Sequence, residues 1–285
     1  MQDTIIVTGG AGFIGRHVVE ALIKEPGDRV VWSVDSLRQR QLGSGVDAVD
    51  LMDPRACIDM VAGIQPTHCI HLAGATESGA CHVNPVMATN LYRALRGLAG
   101  DCRAVDVGSA SVYGKTVQGD CPIGETRPAE PTTKYGISKA AQERAALTSG
   151  LDVIRARVFN VCGPGQPAHL MPAAFIARVQ PDTVVPLRGS NCVRDYLDVR
   201  DVASALVTLL FHGTPGQAYN VGSGVGVTVE VLAMAATLAS HCRPKHVDAM
   251  TDNRPTTSVA DATRLRALGW SPWFSLSESL RDQWG

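Results

Sequence analysis

A tyrosine and a lysine four residues apart are the first side chains in the sequence whose types and spacing suggest chemistry. Tyr135 and Lys139 lie in the segment YGISK. On a helix, residues i and i+4 share one face, so the phenol and the ammonium would lie side by side. A free phenol has a pKa of about 10, too high for a base near neutrality, and a neighbouring cation favours its ionised form. The pair therefore predicts a tyrosine that acts as a general base.

Three glycines at intervals of three residues predict a turn that binds phosphate groups. Gly9, Gly12 and Gly15 lie between a β-branched run at 4–8 and a helical pattern at 13–24. Glycine tolerates positive φ, and its missing side chain lets a pyrophosphate approach the backbone. The N-terminus of the following helix offers free N–H groups to the same phosphates. This context favours a dinucleotide site over an ordinary turn.

An acidic residue at the end of the next apolar run indicates which dinucleotide binds. Asp35 lies twenty residues after Gly15, where a carboxylate can accept hydrogen bonds from both ribose hydroxyls. Its charge would repel a 2′-phosphate, which favours NAD over NADP. Arg38 and Arg40 follow closely and weaken that preference.

A serine-containing turn, GSASVYG at 108–114, follows another apolar run directly. Ligands of doubly wound sheets bind beyond the carboxyl ends of the strands, so Ser109 could reach a substrate oxygen there. A serine-rich turn is also typical of turns with no role in catalysis. The turn alone therefore leaves both interpretations open.

These residues are positioned by alternating strands and helices. The short apolar runs that predict strands are 4–8, 30–34, 69–72, 104–107 and 153–158. The longer segments that predict helices are 13–24, 85–98 and 133–147. The alternation predicts an α/β fold with a Rossmann-type, doubly wound parallel sheet. We place an NAD-binding domain at 1–163 and a smaller, mainly substrate-binding region at 164–285, with segments around 195–222 returning to the sheet.

Composition excludes several classes of protein. The 285 residues include 26 Lys and Arg against 27 Asp and Glu, a formal net charge of −1, so the basic excess of a nucleic-acid-binding protein is missing. No apolar run approaches the ~18 residues of a membrane span, and no basic leader follows Met1, so we expect a cytoplasmic protein.

Eight scattered cysteines without a Cys-x-x-Cys pair favour free thiols. The His–Cys clusters at 68–71 and 241–246 do not fit zinc spacing, and we predict no metal.

Taken together, the motifs resemble the extended short-chain dehydrogenase/reductases. The resemblance is to the NAD-dependent nucleotide-sugar epimerase/dehydratase group, of the UDP-galactose 4-epimerase kind. The matching segments run the length of the chain: 8–15, 35–37, 71–74, 84–90, 109–114, 135–139, 157–164, 194–199, 219–222, 254–255 and 268–272.

The resemblance implies a role for each matching residue. Tyr135 would be the general base for hydride transfer, Lys139 would bind the nicotinamide ribose, and Ser109 would hydrogen-bond the reacting sugar oxygen. The implied cofactor contacts are Gly9, Gly12, Phe13, Ile14, Gly15, Asp35, Asp50, Leu51, Leu72, Ala73, Gly74, Tyr135 and Lys139. The implied contacts with a sugar nucleotide are Ser109, Ser111, Tyr135, Asn160, Arg194 and Arg254. Guanidinium groups match phosphate geometry, so the two arginines would pair with its diphosphate.

The resemblance also implies a homodimer. The helices at 85–98 and 133–147 would pair across a two-fold axis into a four-helix bundle. The small residues Ala140, Ala141, Ala145 and Ala146 would permit the close approach of the helices.

One departure from the family pattern bears on the reaction. Dehydratases and decarboxylases of the group carry acidic residues directly after the catalytic hydroxyl, where this chain has Ala110 and Ser111. Elimination of water needs an additional acid and base, so a dehydratase is disfavoured. We predict a 4-epimerase that works through a 4-keto sugar and bound NAD. An NAD(P)H-dependent 4-keto-sugar-nucleotide reductase would use the same residues and is the alternative. A binding or sensing protein has no need of the Tyr135–Lys139 pair.

Overall fold

A computed structural model describes residues 2–36, 46–76, 79–99, 101–180, 182–241 and 244–284. The strands in these ranges are β1 Asp3–Thr8, β2 Arg29–Asp35, β3 Val46–Ala48, β4 His68–His71, β5 Arg103–Ser109, β6 Asp152–Val158, β7 Asn160–Cys162, β8 Val184–Arg188, β9 Val193–Asp198, β10 Ala218–Val221, β11 Gly226–Thr228, β12 His246–Met250 and β13 Thr257–Ser258. The α-helices are α1 Phe13–Lys24, α2 Pro54–Ile64, α3 Asn84–Leu98, α4 Lys134–Leu147, α5 Ala173–Ile176, α6 Val199–His212, α7 Val229–Ala239, α8 Thr263–Arg266 and α9 Leu276–Trp284.

A seven-stranded sheet forms the centre of the molecule. Its order is β3-β2-β1-β4-β5-β6-β10, and every neighbouring pair is parallel. The strand order reverses at the β1–β4 pair, where Thr8 lies in register with His71. Ligands of such sheets bind beyond the carboxyl ends of the strands at this reversal. The predicted Rossmann-type doubly wound sheet is confirmed.

Helices cover both faces of this sheet because its side chains alternate between them. Ile5 and Val7 of β1 pack in the core cluster that contains α1 and α6. Ile6, between them, packs in the cluster that contains α2 and α3. Continuous apolar runs are expected for strands that are buried on both sides. The sequence does not predict strand β3, because three residues are too few for a periodic signal.

The C-terminal part of the chain builds a smaller layer beside the strand ends. Strand β9 pairs in parallel with β7 and β13 and antiparallel with β11, and β8 pairs with β12. Phe175, Leu232 and Leu280 are buried in the core of this layer. Residues 199–221 return to the central sheet, since α6 packs against α1 and β10 pairs with β6. Among the described helices, none combines the length and the apolar character that a membrane crossing requires.

A buried ion pair ties α4 to β6. Both oxygens of the Glu143 carboxylate accept hydrogen bonds from the Arg157 guanidinium, each at 2.9 Å. Both side chains are about 5% exposed, and the guanidinium lies 4.8 Å from the centre of the Tyr113 ring. Removal of one partner from a buried pair leaves the other charge without compensation.

We expect Glu143→Gln to lower the free energy of unfolding by about 3 kcal/mol, because the Arg157 charge remains buried. Urea denaturation followed by circular dichroism measures the loss. The matched control is Glu20→Gln, which breaks the exposed pair of Glu20 with Lys24 and should change stability by less than about 0.5 kcal/mol. Equal effects of the two substitutions would contradict the expectation.

Candidate active site

The glycine turn after β1 is packed directly against the end of β4. Gly9 has a φ of +71°, and a Cβ there would lie 2.7 Å from the backbone nitrogen of Ala73. A Cβ on Gly15 would collide with the carbonyl oxygen of Gly9 and approach the Cα of Gly10 to 2.7 Å. The turn therefore excludes side chains at both positions for reasons of backbone packing.

The start of α1 suits an anionic ligand. Gly12 is the N-cap of α1 and provides no side chain to cap it. The N–H groups of the first turn are therefore left for a ligand, at the positive end of the helix dipole. These features fit the diphosphate of a dinucleotide.

A first cavity, of about 450 Å³, lies beside this turn. It is lined by Gly9, Gly12, Val34, Asp35, Ser36, Val49, Asp50, Leu51, Leu72, Ala73, Gly74, Ala75, Val83 and Met87. The Asp35 carboxylate accepts hydrogen bonds from the backbone nitrogens of Ala11 at 3.1 Å and Ser36 at 2.7 Å. These contacts fix the carboxylate at the cavity wall, where the sequence places the adenosine ribose. Arg38 and Arg40 lie outside the described residues.

A second cavity, of about 420 Å³, holds the predicted catalytic residues together. It is lined by Phe13, Ile14, Leu72, Gly74, Ala75, Thr76, Val107, Gly108, Ser109, Ser111, Tyr135, Lys139, Val158, Phe159, Asn160, Val161, Leu170, Met171 and Tyr196. Leu72, Gly74 and Ala75 line both cavities. The two spaces therefore meet at the carboxyl end of β4, as a dinucleotide bound across the sheet requires.

Local packing brings α4 to the serine turn. The side-chain hydroxyl of Thr133 caps the helix by accepting a hydrogen bond from the Gly136 nitrogen at 3.0 Å. A Cβ on Gly136 would lie 2.5 Å from the carbonyl oxygen of Ser111, so only glycine permits this approach. The Ser111 nitrogen in turn donates to the Ser109 hydroxyl at 3.2 Å. Tyr135 and Ser109 consequently face one cavity although they are far apart in the sequence.

Asn84 holds the loop after β4 against α4. Its carboxamide pairs with both the N–H and the carbonyl of Ala75, at 2.7 and 3.0 Å, and donates to the Ser138 hydroxyl at 3.0 Å. Asn84 is fully buried. The loop that separates the two cavities is thus fixed to the helix that carries Tyr135 and Lys139.

The Lys139 ammonium is buried and directed by two acceptors. It donates to the Val107 carbonyl at 3.0 Å and to the Gln142 side-chain oxygen at 2.9 Å, and the residue is 5% exposed. An ammonium has three N–H donors, so one is left for a molecule in the cavity.

A third cavity, of about 330 Å³, continues from the second past the serine turn. It is lined by Ser109, Ala110, Ser111, Gly114, Lys115, Thr116, Thr132, Thr133, Val158, Phe159, Asn160, Arg194, Thr256 and Ser258. The Arg194 guanidinium is held by the carbonyl of Thr256 at 2.9 Å and by its hydroxyl at 2.7 Å. Asn160 donates to the Asp195 carbonyl at 3.0 Å. Both predicted substrate contacts therefore lie at the same polar space.

The structure does not bring every predicted residue to these cavities. Arg254 is exposed and lines none of the three. Gly15 lies beneath the turn rather than at a cavity wall. The sequence motifs do not single out Lys115 and Thr132, although Lys115 directly follows the serine turn and Thr132 directly precedes Thr133, the cap of α4. Such adjacency to recognised motifs is the signal that could have found them.

Comparisons with known proteins agree with this geometry. Residues 5–222 match the NAD dependent epimerase/dehydratase family. The chain is 28% identical to the GDP-6-deoxy-D-mannose reductase of Pseudomonas aeruginosa, covering 99% of this chain and 96% of that one. It is also 28% identical to a UDP-glucose 4-epimerase of Streptomyces lividans, covering 100% and 96%. The structure of a Thermus thermophilus UDP-glucose 4-epimerase with NAD superposes with a TM-score of 0.83 at 31% identity, covering 98% and 96%.

We expect NAD⁺ to bind more tightly than NADP⁺, because the Asp35 charge opposes a 2′-phosphate. Titration calorimetry with each dinucleotide measures the two dissociation constants. Asp35→Asn keeps a side-chain oxygen for the Ala11 nitrogen but removes the charge. The ratio of the NADP⁺ and NAD⁺ dissociation constants should therefore fall by about tenfold. Tighter binding of NADP⁺ to the unmodified protein would contradict the assignment and implicate Arg38 or Arg40.

Proposed function

Because the chain belongs to the NAD dependent epimerase/dehydratase family, we propose that it is a nucleotide-sugar 4-epimerase. The observation that carries the proposal is the shared cavity of Ser109, Tyr135 and Lys139, which opens into the cavity of the glycine turn. The family is NAD dependent, which confirms NAD as the cofactor. The preference over NADP that Asp35 predicts remains a prediction. The substrate is a nucleoside diphosphate sugar, with Arg194 at the third cavity to meet its diphosphate.

Three of the polar residues that line the second cavity have complementary roles in the proposed reaction. NAD, when bound, would supply the acceptor and the donor of the sugar hydride. Tyr135 removes the proton of the C4 hydroxyl as that carbon is oxidised, and gives it back when the 4-keto sugar is reduced. Ser109 hydrogen-bonds the same oxygen, and the remaining N–H of Lys139 would bind the nicotinamide ribose.

The walls around the reacting carbon favour return of the hydride over elimination. Among the described residues that line the second and third cavities there is no aspartate or glutamate. Ala110 and Ser111 occupy the positions where dehydratases of the group carry acids. Loss of water from the keto sugar needs an acid and a base in addition to Tyr135, so the intermediate keeps its substituents.

A 4-keto-sugar-nucleotide reductase is the second candidate, supported by the resemblance to the Pseudomonas aeruginosa reductase. It would use the same serine, tyrosine and lysine. The difference lies in the cofactor, since a reductase releases it oxidised after each turnover whereas an epimerase retains it.

The two functions are separated by one assay. The protein is incubated with a panel of nucleoside diphosphate hexoses and hexuronates without added NAD⁺, and the C4 configuration is followed by proton NMR. We expect inversion at C4 with no net NADH in solution. Tyr135→Phe removes only the hydroxyl and should slow turnover by a factor of about 10²–10⁴.

One outcome would count against the epimerase, and another against Tyr135 as its general base. If no sugar inverts while a 4-keto substrate consumes NAD(P)H stoichiometrically, the protein is a reductase. If Tyr135→Phe keeps most of the turnover, the general base lies elsewhere. The melting temperature of Tyr135→Phe is measured first, to verify that the variant is folded.

The proposal includes a homodimer formed by α3 and α4. Val86 on α3 is 40% exposed and Ile137 on α4 is 56% exposed, which leaves apolar surface on both helices. Of the four alanines considered for close helix approach, only Ala141 is exposed, and Ala146 is buried in the core. Light scattering at micromolar concentration should give twice the mass of one chain, and Ile137→Glu should shift it toward the monomer. A monomeric parent protein would refute the dimer.

A further inference from the structure

A chain of buried hydrogen bonds runs from Lys139 into the core beneath the second cavity. The Lys139 ammonium donates to the Gln142 side-chain oxygen at 2.9 Å. The Gln142 nitrogen donates to the Asp106 carboxyl oxygen Oδ1 at 2.8 Å, and the Tyr92 hydroxyl donates to the same oxygen at 2.6 Å. Asp106 and Gln142 are fully buried, and Tyr92 is 1% exposed.

Asp106 occupies a position that strand geometry reserves for the core. Val105 and Val107, its neighbours on β5, pack in the cluster that contains α1 and α6. Asp106 therefore points to the other face, where α3 and α4 supply its hydrogen-bond donors. A buried carboxyl group is costly unless it is hydrogen-bonded and compensated. Asp106 therefore needs the hydrogen-bond donors and the positive charges that surround it.

Lys139 and Arg155 are two cations whose charges favour the ionised form of the buried Asp106 carboxyl group. Burial raises the pKa of Asp106, while the Tyr92 and Gln142 hydrogen bonds and the charges of Lys139 and Arg155 favour the carboxylate. His71 lies in register beside Asp106 on β4. Burial, aided by the Lys139 charge, lowers the pKa of His71 to about 3, so the imidazole is neutral at physiological pH. Arg155 also interacts with Glu143, at 3.6 Å.

The amide of Gln142 has one favourable orientation between these partners. An ammonium can only donate, so the amide must present its oxygen to Lys139. The Asp106 oxygen accepts, so the amide must present its nitrogen there. The flipped amide would face a donor with a donor and an acceptor with an acceptor. The Val107 carbonyl also accepts from the Gln142 nitrogen, at 3.3 Å. Asp106, at the shorter distance of 2.8 Å, and this carbonyl together turn the amide oxygen towards Lys139.

We propose that Gln142 and Asp106 are positioning residues that hold the Lys139 ammonium with its remaining N–H directed at the dinucleotide ribose. Asp106 orients the Gln142 amide, and Gln142 together with the Val107 carbonyl fixes the ammonium. The proposal rests on the role given to Lys139 under the proposed function. It adds two residues that touch neither the cofactor nor the sugar.

The test uses two single variants that break the chain of hydrogen bonds and one double variant that exchanges the carboxylate and the carboxamide. Gln142→Met keeps the length of the side chain but can neither accept from Lys139 nor donate to Asp106. Asp106→Asn replaces a carboxylate that can only accept with a carboxamide that can present either its oxygen or its nitrogen to Gln142. The double variant Asp106→Asn with Gln142→Glu moves the carboxylate from the strand to the helix. In this exchange variant the new carboxamide on β5 can donate to the new carboxylate on α4, which accepts from Lys139. The net charge and the contact with Lys139 are thereby restored, whereas the 3.3 Å hydrogen bond from residue 142 to the Val107 carbonyl is lost.

The measured quantity is the dissociation constant of NAD⁺, determined by titration calorimetry on folded protein. We expect Gln142→Met and Asp106→Asn each to weaken binding by about tenfold, and the exchange variant to return to within about threefold of the parent. Tyr92→Phe is the matched control, because it removes a hydrogen bond from the same Asp106 oxygen and leaves the Gln142 contact intact. It should lower the melting temperature and leave the dissociation constant within about twofold.

The outcomes separate this inference from the proposed function. An exchange variant that binds NAD⁺ no better than Asp106→Asn would overturn the inference, as would parent-like binding by Gln142→Met when Lys139→Met binds weakly. Parent-like binding by Lys139→Met would remove the role of Lys139 itself, and the inference with it. If Asp106→Asn does not fold, Gln142→Met decides, since it leaves the carboxylate in place.

Discussion

The contact between the glycine turn and the end of β4 determines the geometry of the first and second cavities. Gly9 can approach the backbone at Ala73 only because it has no side chain, and this contact lies at the carboxyl ends of β1 and β4, where the strand order reverses. Residues 72–75, which follow β4, then form the wall that the two cavities share. Asn84 fixes that wall to α4, so the phosphate site and the Tyr135–Lys139 face keep one relative position. Chemistry at the sugar depends on this alignment, since hydride transfer requires the reacting atoms to be held close together.

The sequence predicts the features that local pattern controls. Short apolar runs and a helix after the glycine turn predict a parallel sheet, because strands buried on both faces need apolar residues throughout. Residues at strand ends, such as Asp35 and Ser109, line the cavities for the same topological reason. The smaller C-terminal layer is predicted only as a region, because its short strands pair between segments that are distant in the sequence. Arg254 shows the limit: its motif matches the family, but the position of its side chain depends on a loop.

Asp106 and Gln142 mark a second limit of prediction from sequence. The run at 104–107 predicts an apolar strand, and that pattern assigns no role to the carboxyl group within it. An acidic residue inside such a run is itself a signal, because charged side chains are almost never fully buried without a partner. Its partner could not be identified, because Gln142 follows β5 by more than thirty residues and faces Asp106 only once α4 is packed.

The return of residues 199–221 to the central sheet has a consequence for how the chain folds during synthesis. Helix α6 covers the apolar face formed by α1 and the sheet, where Leu206 and Leu209 are completely buried. Strand β10 then pairs with β6. When only the first 163 residues have left the ribosome, the nascent chain therefore has an uncovered apolar face and an unpaired strand edge. Such surfaces are prone to aggregation. The central sheet cannot complete its core and its last strand pair until residues 199–221 have been translated, after part of the smaller layer.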